Sequence, residues 1–412
     1  MIILKRIILL FIFILILLSF KYRKNTFSIL KFVENDYVYV DKYYVYGNHL
    51  NIEGNFSFSG FDSASLVLKS LNNEINIPIS IIDNRFFISE FINDGLYLDS
   101  IPIDNYFIFF KTVSGEDVKY YNLYNKTNYK DTQYYTVTRN KKNNLIDIYF
   151  SSFNNISYMF LSIGYSSVGD DYYDIIIDPG HGGSDSGAVF SDYSEANINL
   201  DISLKLKDAL ENLGLKVGIT RTSNVNAYTY GYGSRTYMSY SSHAKYFISI
   251  HLNSTDYDMK YGGVEIYSPN KANLNFASLL SNKIVECADT SYSKNSSFMI
   301  KDGVYVRTFT PDDIEISINE ANRNGYVPYP VDINTDYYFM IRETGGIVTN
   351  SYIDGRDNYS KNEFFNSNIG AEGYLLELGY INYSGDLNNL LNNSEGYING
   401  IVEAFKIELG YE

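Results

Sequence analysis

A chain of 412 residues with 45% hydrophobic content has room for two packed domains and a tail. Its net charge of −15 argues against a nucleic-acid partner, which would call for a basic patch, and leaves a neutral or zwitterionic polymer open as substrate. The single cysteine, Cys287, excludes an intrachain disulfide and falls in the apolar rhythm Ala277, Leu280, Ile284, Cys287 of a buried helix face.

Residues 1–24 open with Lys5-Arg6, run apolar from Ile7 to Leu18, and close on Lys21, Arg23 and Lys24. This length fits the core of a signal peptide and is short for a full membrane span. No small-x-small cleavage site follows, and Lys5 and Arg6 can snorkel while Ile2, Ile3 and Leu4 join the bilayer. The expectation is an N-terminal signal-anchor in the cell membrane with the body exported. A cleaved signal and a secreted protein are the alternative.

Residues 30–165 hold β-like runs between polar or glycine turns, including Ser65–Lys69, Ile75–Ile82, Tyr106–Thr112, Val118–Tyr124 and Leu145–Phe150. The spacing predicts an all-β sandwich module of immunoglobulin-like type. The 42 Tyr and 26 Phe suit such a pleated surface, with sugar-facing platforms as the alternative. No His/Asp/Glu constellation occurs here, and His49, beside Gly47 and Asn48, reads as a turn residue.

From about residue 173 to 412 the pattern changes to alternating strands and helices, which predicts an α/β domain with a twisted, mostly parallel or mixed sheet flanked by helices. Strands are expected at Asp174–Asp178, Leu215–Thr220, Tyr246–His251, Gly263–Ser268 and Tyr374–Tyr380. Helices are expected at Glu195–Leu213, with Ser194 as N-cap and Gly214 as stop, near Ser234–Ala244, near Ala272–Ala288, and from Glu395 to Gly410. Residues 290–371 interrupt the alternation as an irregular, Tyr-, Asn- and Gly-rich insertion, a candidate lid or binding element.

Three groups lie at element ends where they can converge. His181 follows the first strand on a glycine-rich loop, Glu195 opens the next helix, and His251 ends the strand Phe247-Ile-Ser-Ile-His251. Two imidazoles and a carboxylate are a ligand set of catalytic zinc sites; a helix-capping charge is the plain alternative for Glu195. Glu377, flanked by Leu376 and Leu378, is a costly carboxylate in an apolar strand. It reads as a general base, or as half of a salt bridge to Arg221 or Arg235.

Asp178-Pro-Gly-His-Gly-Gly, Glu195, Thr220-Arg-Thr-Ser, Phe247-Ile-Ser-Ile-His-Leu-Asn253, Gly263-Val-Glu-Ile-Tyr267 and Leu376-Glu-Leu-Gly-Tyr-Ile-Asn382 occur in that order. Together, over 174–289 and 372–412, they resemble the zinc-dependent N-acetylmuramoyl-L-alanine amidase family of the type 3 amidase fold. The resemblance implies that His181, Glu195 and His251 hold Zn2+, that Glu377 is the catalytic glutamate, and that the substrate is the amide between N-acetylmuramic acid and L-alanine in peptidoglycan. A zinc carboxypeptidase or endopeptidase on stem peptides, or a non-catalytic cell-wall-binding module, are the rival readings. Two features depart from the family pattern: the long insertion, and Leu378-Gly379-Tyr380 where Thr-Gly-Phe is common. Asp178 and Asp185 are candidates to orient ligands, or turn formers, and His243 reads as a surface residue. Asn253 and Arg342 are candidate substrate contacts, Arg342 by gripping a stem-peptide carboxylate or, alternatively, by pairing with Glu343.

Overall fold

The computed structural model describes residues 36–128, 132–137, 143–153, 156–165, 172–227, 232–255, 262–351 and 367–411. The expected N-terminal hydrophobic segment lies outside them. Among the described residues no helix is long and apolar enough to cross a membrane.

The first part of the chain is all β. Strands Val38–Tyr46, His49–Phe56, Ser63–Lys69, Asn105–Ser114, Asp117–Asn125, Asn143–Phe153 and Ile156–Tyr165 are its long members. Alternate residues such as Val38, Val40 and Leu66, Leu68 point into the main core, while Val67, Phe107 and Phe109 are buried on the other face of their strands. Rather than two separate sheets, they join into one sheet, because Val38–Val40 pairs parallel with Leu123–Asn125, and with Ile369–Gly370 from later in the chain it counts 13 strands among the described residues. One shared core, with Tyr43, Leu50, Phe86, Phe110 and Leu161 fully buried, is covered by both halves of that sheet.

The second part is built on a seven-stranded mixed sheet in the order Val217–Ile219, Ile175–Pro179, Tyr246–Asn253, Glu372–Tyr380, Glu265–Tyr267, Val304–Tyr305, Met299–Lys301. The first four strands are mutually parallel; Glu265–Tyr267 runs antiparallel to Glu372–Tyr380. Ile175-Ile-Ile is apolar on both faces, as a strand buried between layers of helices must be. Helices Glu195–Asn212, Asn275–Ala288 and Ser394–Glu408 cover one face. In the first, Ile198, Ile202, Leu206 and Leu210 recur every fourth residue and all are buried. The shorter helices Arg235–Ser241 and Phe339–Thr344 lie on the other face, whose core is Ile176, Phe247, Tyr267, Tyr305, Ile341 and Leu375.

The insertion is less irregular than its composition suggests. It supplies the two edge strands Met299–Lys301 and Val304–Tyr305 and the helices Pro311–Arg323 and Phe339–Thr344. Runs of two or three strand residues carry no readable period, which is why the sequence shows only a gap there. A helix at Ser384–Asn392 is also added between the last strand and the last helix.

The insertion's returning limb joins the two parts of the chain. Ile369–Gly370 pairs parallel with Val45–Tyr46, through Val45 N–H to Asn368 O (2.8 Å) and Gly47 N–H to Gly370 O (2.8 Å). Tyr44, Tyr46, Ile92, Ala272 and Val348 form a small apolar core at this seam. His49 starts its strand directly after the Gly47-Asn48 turn, and its Nδ1 lies 3.7 Å from the buried Glu372.

Candidate metal centre

His181 leaves the end of the Ile175–Pro179 strand with a positive φ of 60°, a conformation that costs a non-glycine residue about 1–2 kcal/mol. The turn is held from below by two arginines. Arg221 donates to the carbonyls of Pro179 (2.9 Å), Gly180 (2.8 Å) and Ala196 (2.8 Å). Arg235 pairs with Asp178 (2.6 Å) and donates to the carbonyls of Pro179 (2.7 Å) and His181. Asp178 is fully buried and also accepts from Thr220 (2.6 Å) and Ser249 (2.8 Å). Burial pushes its carboxyl up, but Arg235 and these hydroxyls outweigh it and hold Asp178 below the usual carboxylate range. Asp178 therefore shapes the turn through Arg235, without touching either histidine ring. Asp185 does touch one: its Oδ2 lies 2.9 Å from His181 Nδ1, which fixes that ring's orientation.

His181, Glu195 and His251 come together, with one ligand-type atom from each within 4.8 Å of the others. Glu195 Oε1 lies 3.1 Å from His181 Nε2 and 3.0 Å from His251 Nδ1. Its oxygens also accept from the N–H groups of Leu252 (3.0 Å) and Ala188 (3.0 Å). None of these is an N–H of the helix in whose first turn Glu195 lies, so its oxygens are engaged toward the histidine side as well as placed at the helix dipole. Burial pushes the Glu195 carboxyl up, but the two imidazoles prevail and hold it well below its ordinary value. For His181 burial acts downward, and Glu195 and Asp185 more than reverse it.

The donor set fits a zinc ion. Glu195 Oε1, about 3 Å from a nitrogen of each imidazole, approaches on both sides the edge of a tetrahedron with ~2.0–2.1 Å bonds. His251 Nε2 and Glu377 Oε2 are buried without hydrogen-bond partners, and two carboxylates, Glu195 and Glu377, face one site with only imidazoles between them. The glycines make the cradle. A Cβ on Gly180 would lie within 2.6 Å of the His251 ring, and one on Gly187 would lie 2.6 Å from Glu195 Oε2 and 2.7 Å from His181 Cδ2.

Glu377 sits opposite His251 on the neighbouring strand, and Glu265 sits opposite Glu377 on the next. The three side chains form a row across one face of the sheet. Glu377 makes no salt bridge to Arg221 or Arg235, whose partners are those given above. Burial, then the charges of Glu195 and Glu265, push its carboxyl well above the ordinary range. Glu265 is the functional-site residue that the sequence signals least. It is fully buried and accepts from Tyr380 (2.5 Å), Ser293 (2.7 Å) and Tyr267 (2.8 Å). Three O–H donors satisfy an acceptor-only carboxylate. The signal that could have found it is the same one that found Glu377: an acidic residue between Val264 and Ile266 in a strand.

Asn253 ends the His251 strand, half-buried, with its carbonyl accepting from Ile381 (2.9 Å). Arg342 is not placed to grip a substrate. It is 5% exposed, its Nε bonds Glu343 (3.1 Å), and its Nη1 donates to the carbonyls of Asp336 (2.8 Å) and Tyr337 (2.9 Å). This is the structural Arg–Glu pairing. His243 is half-buried rather than on the surface, in a tight turn with φ 53°.

A mixed α/β sheet thus brings a His–Glu–His group that could hold a metal ion next to a buried glutamate with a raised carboxyl, an arrangement suited to hydrolysis. The model of the family described as N-acetylmuramoyl-L-alanine amidase matches residues 175–310 of the chain. The chain is 33% identical over 104 residues to the germination-specific N-acetylmuramoyl-L-alanine amidase of Bacillus subtilis (strain 168), covering 23% of this chain and 44% of that protein. It is 40% identical over 82 residues to N-acetylmuramoyl-L-alanine amidase CwlM of Bacillus licheniformis, covering 19% and 31%. The chain thus spans less than half the length of these curated relatives. Among solved structures, the catalytic domain of the amidase CwlV from Bacillus (Paenibacillus) polymyxa aligns at 19% identity and a TM-score of 0.38, covering 58% of this chain and 98% of that one.

Proposed function

We propose that this protein hydrolyses the amide between N-acetylmuramic acid and L-alanine in peptidoglycan, with His181, Glu195 and His251 holding a zinc ion. The observation that carries the reading is the register that sets Glu377 beside His251, next to a three-residue donor set. Zinc in such a set supplies Lewis acidity toward a carbonyl and a water. Glu377, with its carboxyl pushed up by burial, takes the proton of the attacking water and passes it to the departing amine nitrogen. Asp185 keeps His181 in the tautomer that leaves Nε2 for the metal. Asn253, at the lip of the site, is a substrate contact.

The remaining parts follow from the export of such an enzyme. In this reading residues 1–24 are a signal-anchor, and 30–165 form an immunoglobulin-like sandwich that positions the catalytic domain, 173–412, on the wall. The 290–371 insertion walls the site. A stem-peptide carboxypeptidase or endopeptidase would use the same metal chemistry. Mass identification of muropeptide products separates them: free disaccharide with an intact stem peptide supports the amidase, and a shortened stem refutes it.

A further inference from the structure

We propose that Arg307, in the insertion, forms a subsite for a carboxylate of the stem peptide; this rests on the amidase reading and names what recognises the peptide side of the bond. Arg221, Arg235 and Arg342 all have donors bound to carbonyls or buried carboxylates. Arg307 differs. Its Nε is buried with no hydrogen bond, while its side chain is 25% exposed. Its ion-pair contact, Nη2 to Asp313 Oδ1, is 3.6 Å, longer than a hydrogen bond. Asp313 itself is engaged in the capping box with Thr310 at the start of the Pro311–Arg323 helix.

The guanidinium is nonetheless held in place. It lies 3.5 Å from the Tyr337 ring centroid, 5.2 Å from Phe298 and 5.9 Å from Tyr338. An aromatic collar fixes the plane of the fork at little entropic cost, while leaving its edge for a planar anion. Phe298 stands 39% exposed with φ 64°, so the loop carries strain to present that ring.

The collar leads to the catalytic row. Tyr338 packs edge-on against Tyr267 (4.7 Å), and the Tyr267 hydroxyl bonds Glu265, the residue opposite Glu377. Burial, then Glu377, push the Tyr338 phenol up, while hydrogen bonding to Tyr267 and to Arg307 acts downward, so one donor of the Arg307 fork reaches this phenol and ties it to the row. A net charge of −15 repels an acidic peptide, so a local cation near the row is what such a ligand needs.

The test uses calorimetric binding of a synthetic stem tripeptide with free carboxylates, and of the same peptide amidated, to the full chain and to Arg307→Ala and Arg307→Lys. We expect wild type to prefer the free acid by about 10- to 100-fold, as a charge-assisted pair implies. Arg307→Ala loses that preference while binding the amidated peptide as wild type does, and Arg307→Lys keeps part of it. Unchanged thermal midpoint and metal content show that the variants are folded. Equal binding of both peptides by wild type, no binding of either, a preference that survives in Arg307→Ala, or a uniform loss on both peptides overturns the proposal. Failure of the amidase reading is seen separately, in the muropeptide products of wild type.

Discussion

Gly180→Ala tests the metal centre with one methyl group. The new Cβ would fall within 2.6 Å of the His251 ring, where carbon contacts settle near 3.5 Å, so the ring or the loop must move by about 1 Å. His251 has little room to yield: its side chain is 12% exposed and its Nδ1 lies 3.0 Å from Glu195. A 1 Å displacement of a positioned group costs about 100-fold in rate, and a disturbed ligand about 10- to 100-fold in metal affinity. If the loop gives instead, overpacking costs about 1–3 kcal/mol of stability. The assay is zinc content by elemental analysis after dialysis against a weak chelator, alongside muropeptide turnover and thermal denaturation. Loss of metal and turnover with a small change in melting temperature is the expected pattern. A variant that kept zinc, turnover and melting temperature all at wild-type levels would refute the steric argument that packs Gly180 against a ligating His251.

Three further outcomes are expected. Glu377→Gln should lower kcat by about 100- to 10,000-fold while zinc content stays intact, measured by single-turnover digestion and elemental analysis. Asp386→Ala should destabilise by a few kcal/mol in chemical denaturation, because Asp386 accepts from the buried N–H groups of Gly263 (2.8 Å) and Tyr380 (2.8 Å), and about 1–3 kcal/mol attends each buried group left unpaired. Asp336, pushed up to about 7 by burial despite Asn270 N–H, Arg342 and Lys271, binds its proton more tightly folded than unfolded. Stability from this group is therefore full below the unfolded carboxyl range and falls as pH rises towards 7. Asp336→Asn should flatten that slope and raise the melting temperature at pH 8 relative to wild type; an unchanged pH profile would contradict it.

The sequence announces the parts of this site that are local. Ile175-Ile-Ile, the Pro179-Gly180 break and the fourfold rhythm of Ile198, Ile202, Leu206 and Leu210 are read from neighbouring residues, and they already put His181 and Glu195 at facing element ends. Glu377 stands out because a lone carboxylate between leucines is costly. What is not legible depends on contacts across the chain. Glu265 has its meaning only once Ser293 and Tyr380 close over it. The aromatic density around Arg342 drew attention to an arginine that the fold buries. On its short helix Arg342 faces inward to Glu343, whereas Arg307, whose neighbours in sequence are unremarkable, is collared by Tyr337 and Tyr338 only in three dimensions. The single sheet of the first part was likewise hidden, since the pairing of Val38–Val40 with Leu123–Asn125 spans the whole module.

The long insertion then has a structural reason to return where it does. Its last residues, Ile369–Gly370, add to the edge of the Val38–Tyr46 strand, and two residues later the chain enters the strand that carries Glu377. Glu372, at the start of that strand, is 1% exposed; Tyr374 donates to it (2.9 Å), and His49 of the β module stands 3.7 Å away. Gly47 fits beside it only because it lacks a Cβ, which would fall 2.8 Å from the Glu372 carboxylate. The β module is thus fastened to the strand of Glu377, five residues upstream of it, through backbone hydrogen bonds and a buried carboxylate. A linker would leave the catalytic domain free to turn, whereas this seam fixes the direction of the catalytic strand relative to the module that precedes it.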